Sequence, residues 1–277
     1  MKKVLHAASF VIAIALLICS IILLILRAGV LIADNREYFR PDYEKVDLSD
    51  ILDKTELTDE DYELIYRQTG LAKIAVCDLL EKGDKDSIAE MQEQFFSDID
   101  YQCSNWSMFS YIECLESHIK LADLQDGDIL ISSSTHISSW RCGHAAIVVD
   151  AKKGLILNAV RVGSLSEISG ISDFTDRASI MVLRPKLDKE TRESVAEYAR
   201  NNLVGIPYSS TVGILSPKYE ETIKTTQCSH LVWYAYKKFG IDIDYDGSGL
   251  VTPKDIANSE HLDIVQIYGF DPDNLWK

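Results

Sequence analysis

Residues 143–160 read GHAAIVVDAKKGLILNAV, and this stretch decides the fold. Two apolar runs, His144–Val149 and Leu155–Val160, flank the turn sequence Asp150-Ala-Lys-Lys-Gly154, which predicts a β-hairpin. Two polar side chains interrupt it. His144 heads the first run beside Gly143, and Asn158 lies inside the second, where Asn is a poor strand former. Both indices are even, so alternation lets each share a sheet face with the inner residues of its own strand. Outward from the hairpin, Gly127-Asp-Ile-Leu-Ile131 predicts a strand before it, and Ile180-Met-Val-Leu-Arg184 predicts one after, ended by Pro185. The period then becomes helical. A helix is expected over about 188–202 with Val195, Tyr198 and Ala199 inward, and another from Cys228 or Ser229 to Gly240. A short last helix opens at Thr252-Pro253, with Thr as cap and Pro at the first position. Strands and helices at this spacing make residues 121–277 an α+β domain, an antiparallel sheet packed on helices.

Cys228 begins its apolar helix after the polar run Lys224-Thr-Thr-Gln227. A helix N-terminus stabilises a thiolate, and so does a neighbouring imidazolium. A cysteine at a helix start is more often simply buried, a strand histidine is usually a core residue, and a strand Asn often marks a bulge. Taken together, Cys228, His144 and Asn158 are the parts of a cysteine hydrolase: nucleophile, base, and a side-chain oxygen that orients the base.

The order Gly127-Asp128-Ile129-Leu130, then Gly143-His144-Ala145-Ala146-Ile147, then Gly205-Ile206-Pro207-Tyr208, then Cys228-Ser229-His230-Leu231-Val232-Trp233 resembles the NlpC/p60 cysteine hydrolases. Specifically it is similar to their circularly permuted YiiX/YaeF branch, in which the His strand precedes the nucleophile helix. The resemblance covers residues 121–277. It implies a permuted papain-like fold with Cys228 as nucleophile, His144 as general base and Asn158 as orienter, no cofactor and no metal. The match to Asn158 assumes a two-residue insertion in the hairpin turn. It also implies that Tyr208 lines the pocket, with a turn-packing role as the alternative. Relatives often carry Glu after Cys-Ser where this chain has His230, so His230 is a rival base, though its place on the helix suits a substrate-binding wall better.

Upstream, Ala7–Leu26 is an uncharged run of 20 residues, AASFVIAIALLICSIILLIL, preceded by Lys2 and Lys3 and followed by Arg27. That length matches a bilayer core rather than a cleaved signal, and the flanking charges favour a cytoplasmic N-terminus. Residues 1–33 are therefore expected to be a single-pass signal anchor that leaves the catalytic domain outside the cell membrane. Residues 34–120 form an acidic helical segment. Thr58 caps a helix ending at Thr69-Gly70, a second runs from Leu71 to Gly83, and a third carries Ile88, Met91, Phe95 and Phe96.

The chain carries a net charge of −15, from 28 basic and 43 acidic residues, which argues against a nucleic-acid partner. The six cysteines show no paired framework, although Cys103 and Cys114 could bridge, and Cys77 and Cys114 read as small buried hydrophobes. Asp242-Ile-Asp244-Tyr-Asp246-Gly247 begins like a calcium loop, but Pro253 stands where the bidentate Glu is needed, so an ordinary turn is expected. His136, Cys142 and His144 could ligate zinc but lack the spacing of a metal hydrolase. The leading expectation is a membrane-anchored thiol amidase or endopeptidase acting on cell-wall peptide. A lipid-directed thiol acyltransferase or esterase, or an inactive binding module of the same fold, is the alternative, with residues 34–120 as partner surface or lid.

Overall fold

The computed structural model describes residues 2–33, 38–107, 110–137 and 140–276. An N-terminal helix, α1 (Lys2–Ala33), is followed by α2 (Ser49–Leu52), α3 (Asp59–Thr69), α4 (Lys73–Glu81) and α5 (Lys85–Phe96). In α1, side chains are described from Ser9 to Ile25 and at Ala28, and Phe10 and Leu24 there are 67% and 70% exposed. That described run rises about 25 Å at 1.5 Å per residue, against roughly 30 Å for a bilayer core. Among the described residues, no helix is long and apolar enough to cross a membrane. The flanking charges Lys2, Lys3 and Arg27 lie outside the described side chains.

The cap at Thr58 and the helix end at Gly70 are present as expected, and Asp84 adds a cap beyond that expectation. Thr58 accepts from the Asp61 N–H in a capping box, Gly70 closes α3 in the left-handed region at φ 72°, and Asp84 caps α5. Helix does not continue through 97–120. That stretch instead forms the hairpin β1 (Tyr101–Ser107) and β2 (Ser110–Leu115), paired antiparallel with Cys103 opposite Glu113 and Gln102 opposite Cys114. The one-residue offset puts Cys103 and Cys114 on opposite faces, and all six cysteines are free thiols. Cys77 and Cys114 are only half-buried, and the Cys77 sulfur lies 3.3 Å from the Tyr62 hydroxyl.

The remaining chain runs β3 (Ile129–Ser132), β4 (Thr135–Ile137), β5 (Trp140–Arg141), β6 (His144–Asp150), β7 (Leu155–Asn158), β8 (Glu167–Gly170), α6 (Ser172–Thr175) and β9 (Ile180–Pro185). It ends with α7 (Lys189–Asn202), α8 (Cys228–Lys237), α9 (Pro253–Ala257) and β10 (Leu262–Tyr268). Two sheets result. A smaller one has the order β1-β2-β4-β5, and a six-stranded one has the order β10-β9-β3-β6-β7-β8 with every neighbouring pair antiparallel. The predicted hairpin is β6–β7, with Ile147 opposite Leu157 and a 3-10 turn at Ala151–Lys153.

Every residue of β3 and β9, and of β6 up to Val149, is buried, so the centre of the sheet is covered on both faces. Helices α7 and α8 lie over β6, and α4 packs on β10. The acidic segment shares this core: Leu48, Ile65, Val76, Ile88 and Phe95 are buried in one cluster with the sheet residues. It also extends the sheet edge, since Ile267 N–H donates to Gly70 O at 2.8 Å and Ala72 N–H to Val265 O at 3.0 Å. A Cβ on Gly70 would sit 2.1 Å from Ile267 O, so only glycine fits this edge.

Candidate active site

Helix α8 starts at Cys228 because Gln227 ends the extended chain before it. The Gln227 side chain caps the helix by accepting from Ser229 N–H at 3.0 Å, and its amide group donates to Val251 O at 2.6 Å. The cap thus locks the residue beside the sulfur, and Cys228 Sγ lies 3.4 Å from Gln227 Oε1. The backbone N–H groups of Ala145 and Ser229 also reach the sulfur. Ala145 follows His144 directly, so α8 and β6 bring the Cys228 and His144 side chains to one place. Both line a cavity of about 830 Å³.

His144 is 2% exposed. Its Nε2 lies 3.2 Å from Asn158 Oδ1, and Asn158 Nδ2 donates to Ser169 Oγ at 3.0 Å. With the amide held this way, Nε2 carries the proton and Nδ1 is the basic nitrogen. The hairpin register explains the contact: residues 144 and 158 stand diagonally on one face of adjacent strands. Phe174 stacks on the imidazole at 5.4 Å between centroids, and the Arg177 guanidinium lies over Phe174 at 4.4 Å.

Burial dominates the electrostatics. It raises the Cys228 thiol above its ordinary value, opposed by the N–H groups of Ala145 and Ser229 and by the charge of Arg177. It also holds His144 well below 6.5, with Arg177 pushing the same way and Asn158 pushing back. Both directions favour a neutral thiol beside a neutral imidazole. Arg177 itself is 1% exposed and brought down to about 10 by burial. Its Nε donates to Asp173 O at 2.7 Å and its Nη1 to Thr135 Oγ1 at 2.8 Å.

Tyr208 stands in the cavity wall with Cys228, its phenol pushed up by burial and by the Cys228 and Cys142 thiols. His230 does not reach the cavity. Two residues along a helix turn a side chain by about 200°, and His230 Nε2 faces Lys218 O at 2.7 Å while Nδ1 faces Thr226 Oγ1 at 2.9 Å. The rival base is therefore occupied elsewhere, and the wall role expected for it is filled by other residues.

The zinc trio does not converge. His136 stacks on Tyr111 at 4.4 Å with Nε2 3.0 Å from Glu113 Oε2, whereas His144 is held by Asn158. Among the described residues, the carboxylates of Asp244, Asp246 and Asp255 lie close enough together for a cation. Each already serves the fold: Asp244 pairs with Lys218, Asp246 accepts from Ser248 N–H at 2.7 Å, and Asp255 completes the Thr252 capping box. Asp242, first in the calcium-like run, accepts from Trp233 Nε1 at 2.7 Å.

Phe174, Arg177 and Ser169 carry no signal that a reading of the sequence could find. Helix α6 has four residues and β8 four, too few for a period to show. No family model, curated protein or solved structure matches this chain.

Proposed function

We propose that this chain is a thiol-dependent hydrolase of the permuted papain-like, NlpC/p60-like kind, with Cys228 as nucleophile, His144 as base and Asn158 as orienter. One observation carries the reading: Cys228 opens α8 into the same cavity as His144, whose ring is fixed by Asn158 at 3.2 Å. In this reaction His144 Nδ1 takes the thiol proton as Sγ attacks a carbonyl carbon. The Cys228 N–H, at the first helical position, belongs to the donors that a helix leaves without internal partners, and it faces the developing oxyanion. Collapse forms a thioester and expels the leaving group, which receives the proton from His144. Water then attacks the thioester, His144 takes its proton, and the acid and free thiol are released.

Attachment to the cell membrane through α1 is part of this proposal, with the catalytic part outside. It is supported by the uncharged run Ala7–Leu26 and by the exposure of the apolar side chains in α1. That location favours the amide bonds of cell-wall peptides as substrate. A second reading, an esterase or acyltransferase acting on lipid, is favoured by the apolar cavity wall, which includes Trp140, Val162, Leu250 and Trp276. Incubating the full chain with wall peptide and with phospholipid micelles separates them. New amines indicate the first, free fatty acid the second, and either product must vanish with Cys228→Ser and His144→Ala. Turnover that survives both substitutions, or no turnover on either substrate with an ordinary Cys228 thiol, overturns the hydrolase reading in favour of a binding module.

A further inference from the structure

The charges around the cavity have the opposite sign to the chain. Acidic residues outnumber basic ones 43 to 28, so a wall drawn without selection would hold more carboxylates than cations. Instead it contains Arg141, Arg161 and Lys254, and no carboxylate among the described residues that line it. Arg141 is compensated from behind the wall, by Glu113 Oε2 at 3.0 Å and by the Tyr38 hydroxyl at 2.6 Å, neither of which lines the cavity. Arg161 and Lys254 lie further out. Both are exposed as well as lining, which places them at the mouth, and they come from separate elements, the loop after β7 and the first turn of α9. Buried Arg177 adds a positive charge felt by both Cys228 and His144.

We propose that the substrate of this site carries an anionic group, a phosphate or carboxylate, which Arg161 and Lys254 hold at the mouth while the scissile carbonyl lies at Cys228. The proposal rests on the hydrolase reading and names the chemistry of its substrate. An arginine fork matches the two oxygens of such a group, and a lysine supplies a point charge. A cationic mouth on an acidic molecule also concentrates anions there that the rest of the surface repels. The anion has two possible sources, a lipid headgroup or the free carboxylate of a peptide, and both are consistent with the apolar wall beyond the mouth.

The test uses the full chain in neutral detergent micelles and compares alkylation of Cys228 by anionic iodoacetate and neutral iodoacetamide. Glutathione is the reference thiol. The expected iodoacetate-to-iodoacetamide rate ratio at Cys228 is about tenfold above that of glutathione at low salt. It should fall toward the reference at high salt, where charges are screened, and in Arg161→Gln/Lys254→Gln. A ratio equal to that of glutathione, or one the double substitution leaves unchanged, overturns the proposal. His144→Ala reads the hydrolase assignment separately: loss of His144-dependent iodoacetamide reactivity bears on the nucleophile, whereas the ratio bears on the anion. Protection of Cys228 from iodoacetamide identifies the source. Phosphatidylglycerol protecting better than phosphatidylcholine supports a lipid headgroup, and a tripeptide acid protecting better than its C-terminal amide supports a peptide carboxylate. Protection by neither anion overturns the proposal.

Discussion

Asn158 fixes the imidazole of His144 with one hydrogen bond at 3.2 Å, so its substitution separates orientation from charge. In Asn158→Asp a carboxylate faces Nε2 and favours the imidazolium, raising the His144 pKa from its depressed position. The acid limb of Cys228 alkylation should then move to higher pH, which stopped-flow alkylation across pH 4–8 would read; an unmoved limb would mean that His144 does not govern the sulfur. Gly143, just before His144, is equally restrictive. It has φ 72°, and a Cβ there would lie 2.3 Å from the Trp276 ring and 2.7 Å from Ser132 O. Gly143→Ala should cost about 1–3 kcal/mol in urea unfolding, and a neutral result would show that the start of β6 can shift. That Cys228, His144 and Asn158 stand out was legible because a cysteine opening a helix and two polar residues inside an apolar hairpin break their patterns visibly. Arg177 was not legible, since a buried arginine just after a four-residue helix looks in sequence like any surface cation.

Between elements, a buried polar tie joins Asp128, at the entry to β3, to Arg184 in β9. Their forked contact has Nε–Oδ1 at 2.9 Å and Nη2–Oδ2 at 2.8 Å, with side-chain exposures of 0% and 4%. Arg184 Nη1 reaches Asp78 in α4 at 3.2 Å, joining the acidic segment to the sheet. Arg184→Met would strand the Asp128 carboxylate in the core and should cost about 3–5 kcal/mol, while adding Asp128→Leu should recover much of that loss. Chemical denaturation of both variants checks this, and a single substitution costing under about 1 kcal/mol would remove the pair from the account. The helices and the β6–β7 hairpin follow from their periods of 3.6 and two. Strands β1 and β10 escaped that reading for different reasons. In β1 the side chains from Tyr101 to Asn105 are exposed, so no buried alternation marks the strand. In β10 the buried run Val265–Tyr268 includes Gln266, whose polarity hides a strand; it is satisfied by Ala122 N–H at 2.7 Å and Lys120 O at 3.0 Å.

At the scale of the whole molecule, buried histidines set the response to acid. His144 and His230 are both held below 6.5 chiefly by burial. Below pH 6.5 the unfolded chain protonates them while the folded chain does not, so stability is lost as pH falls through that window. Glu113 acts lower down. Burial raises it, but hydrogen bonds from His136 and Tyr38 and the charge of Arg141 outweigh that and bring it below 4.5, so its contribution is lost as pH falls past 4.5. Asp128, raised by burial, opposes this trend just above 3.8. The melting temperature should therefore decline from pH 7 to pH 5 and fall further below pH 4.5, with His144→Gln flattening the first part. A melting temperature level from pH 7 to pH 5 would contradict neutral buried histidines.

The central claim, that His144 activates Cys228, is tested most directly by the rate of Cys228 alkylation by iodoacetamide against pH, for the native chain and His144→Ala. A neutral imidazole beside a neutral thiol predicts a rate already level near pH 6–7, where an ordinary thiol of pKa about 8.5 is almost inert. A second rise is expected only in the alkaline range, where the thiol ionises unaided. His144→Ala should abolish the plateau and leave the alkaline rise. A profile that climbs through pH 8–9 like any free thiol, or a plateau that survives in His144→Ala, would contradict the account.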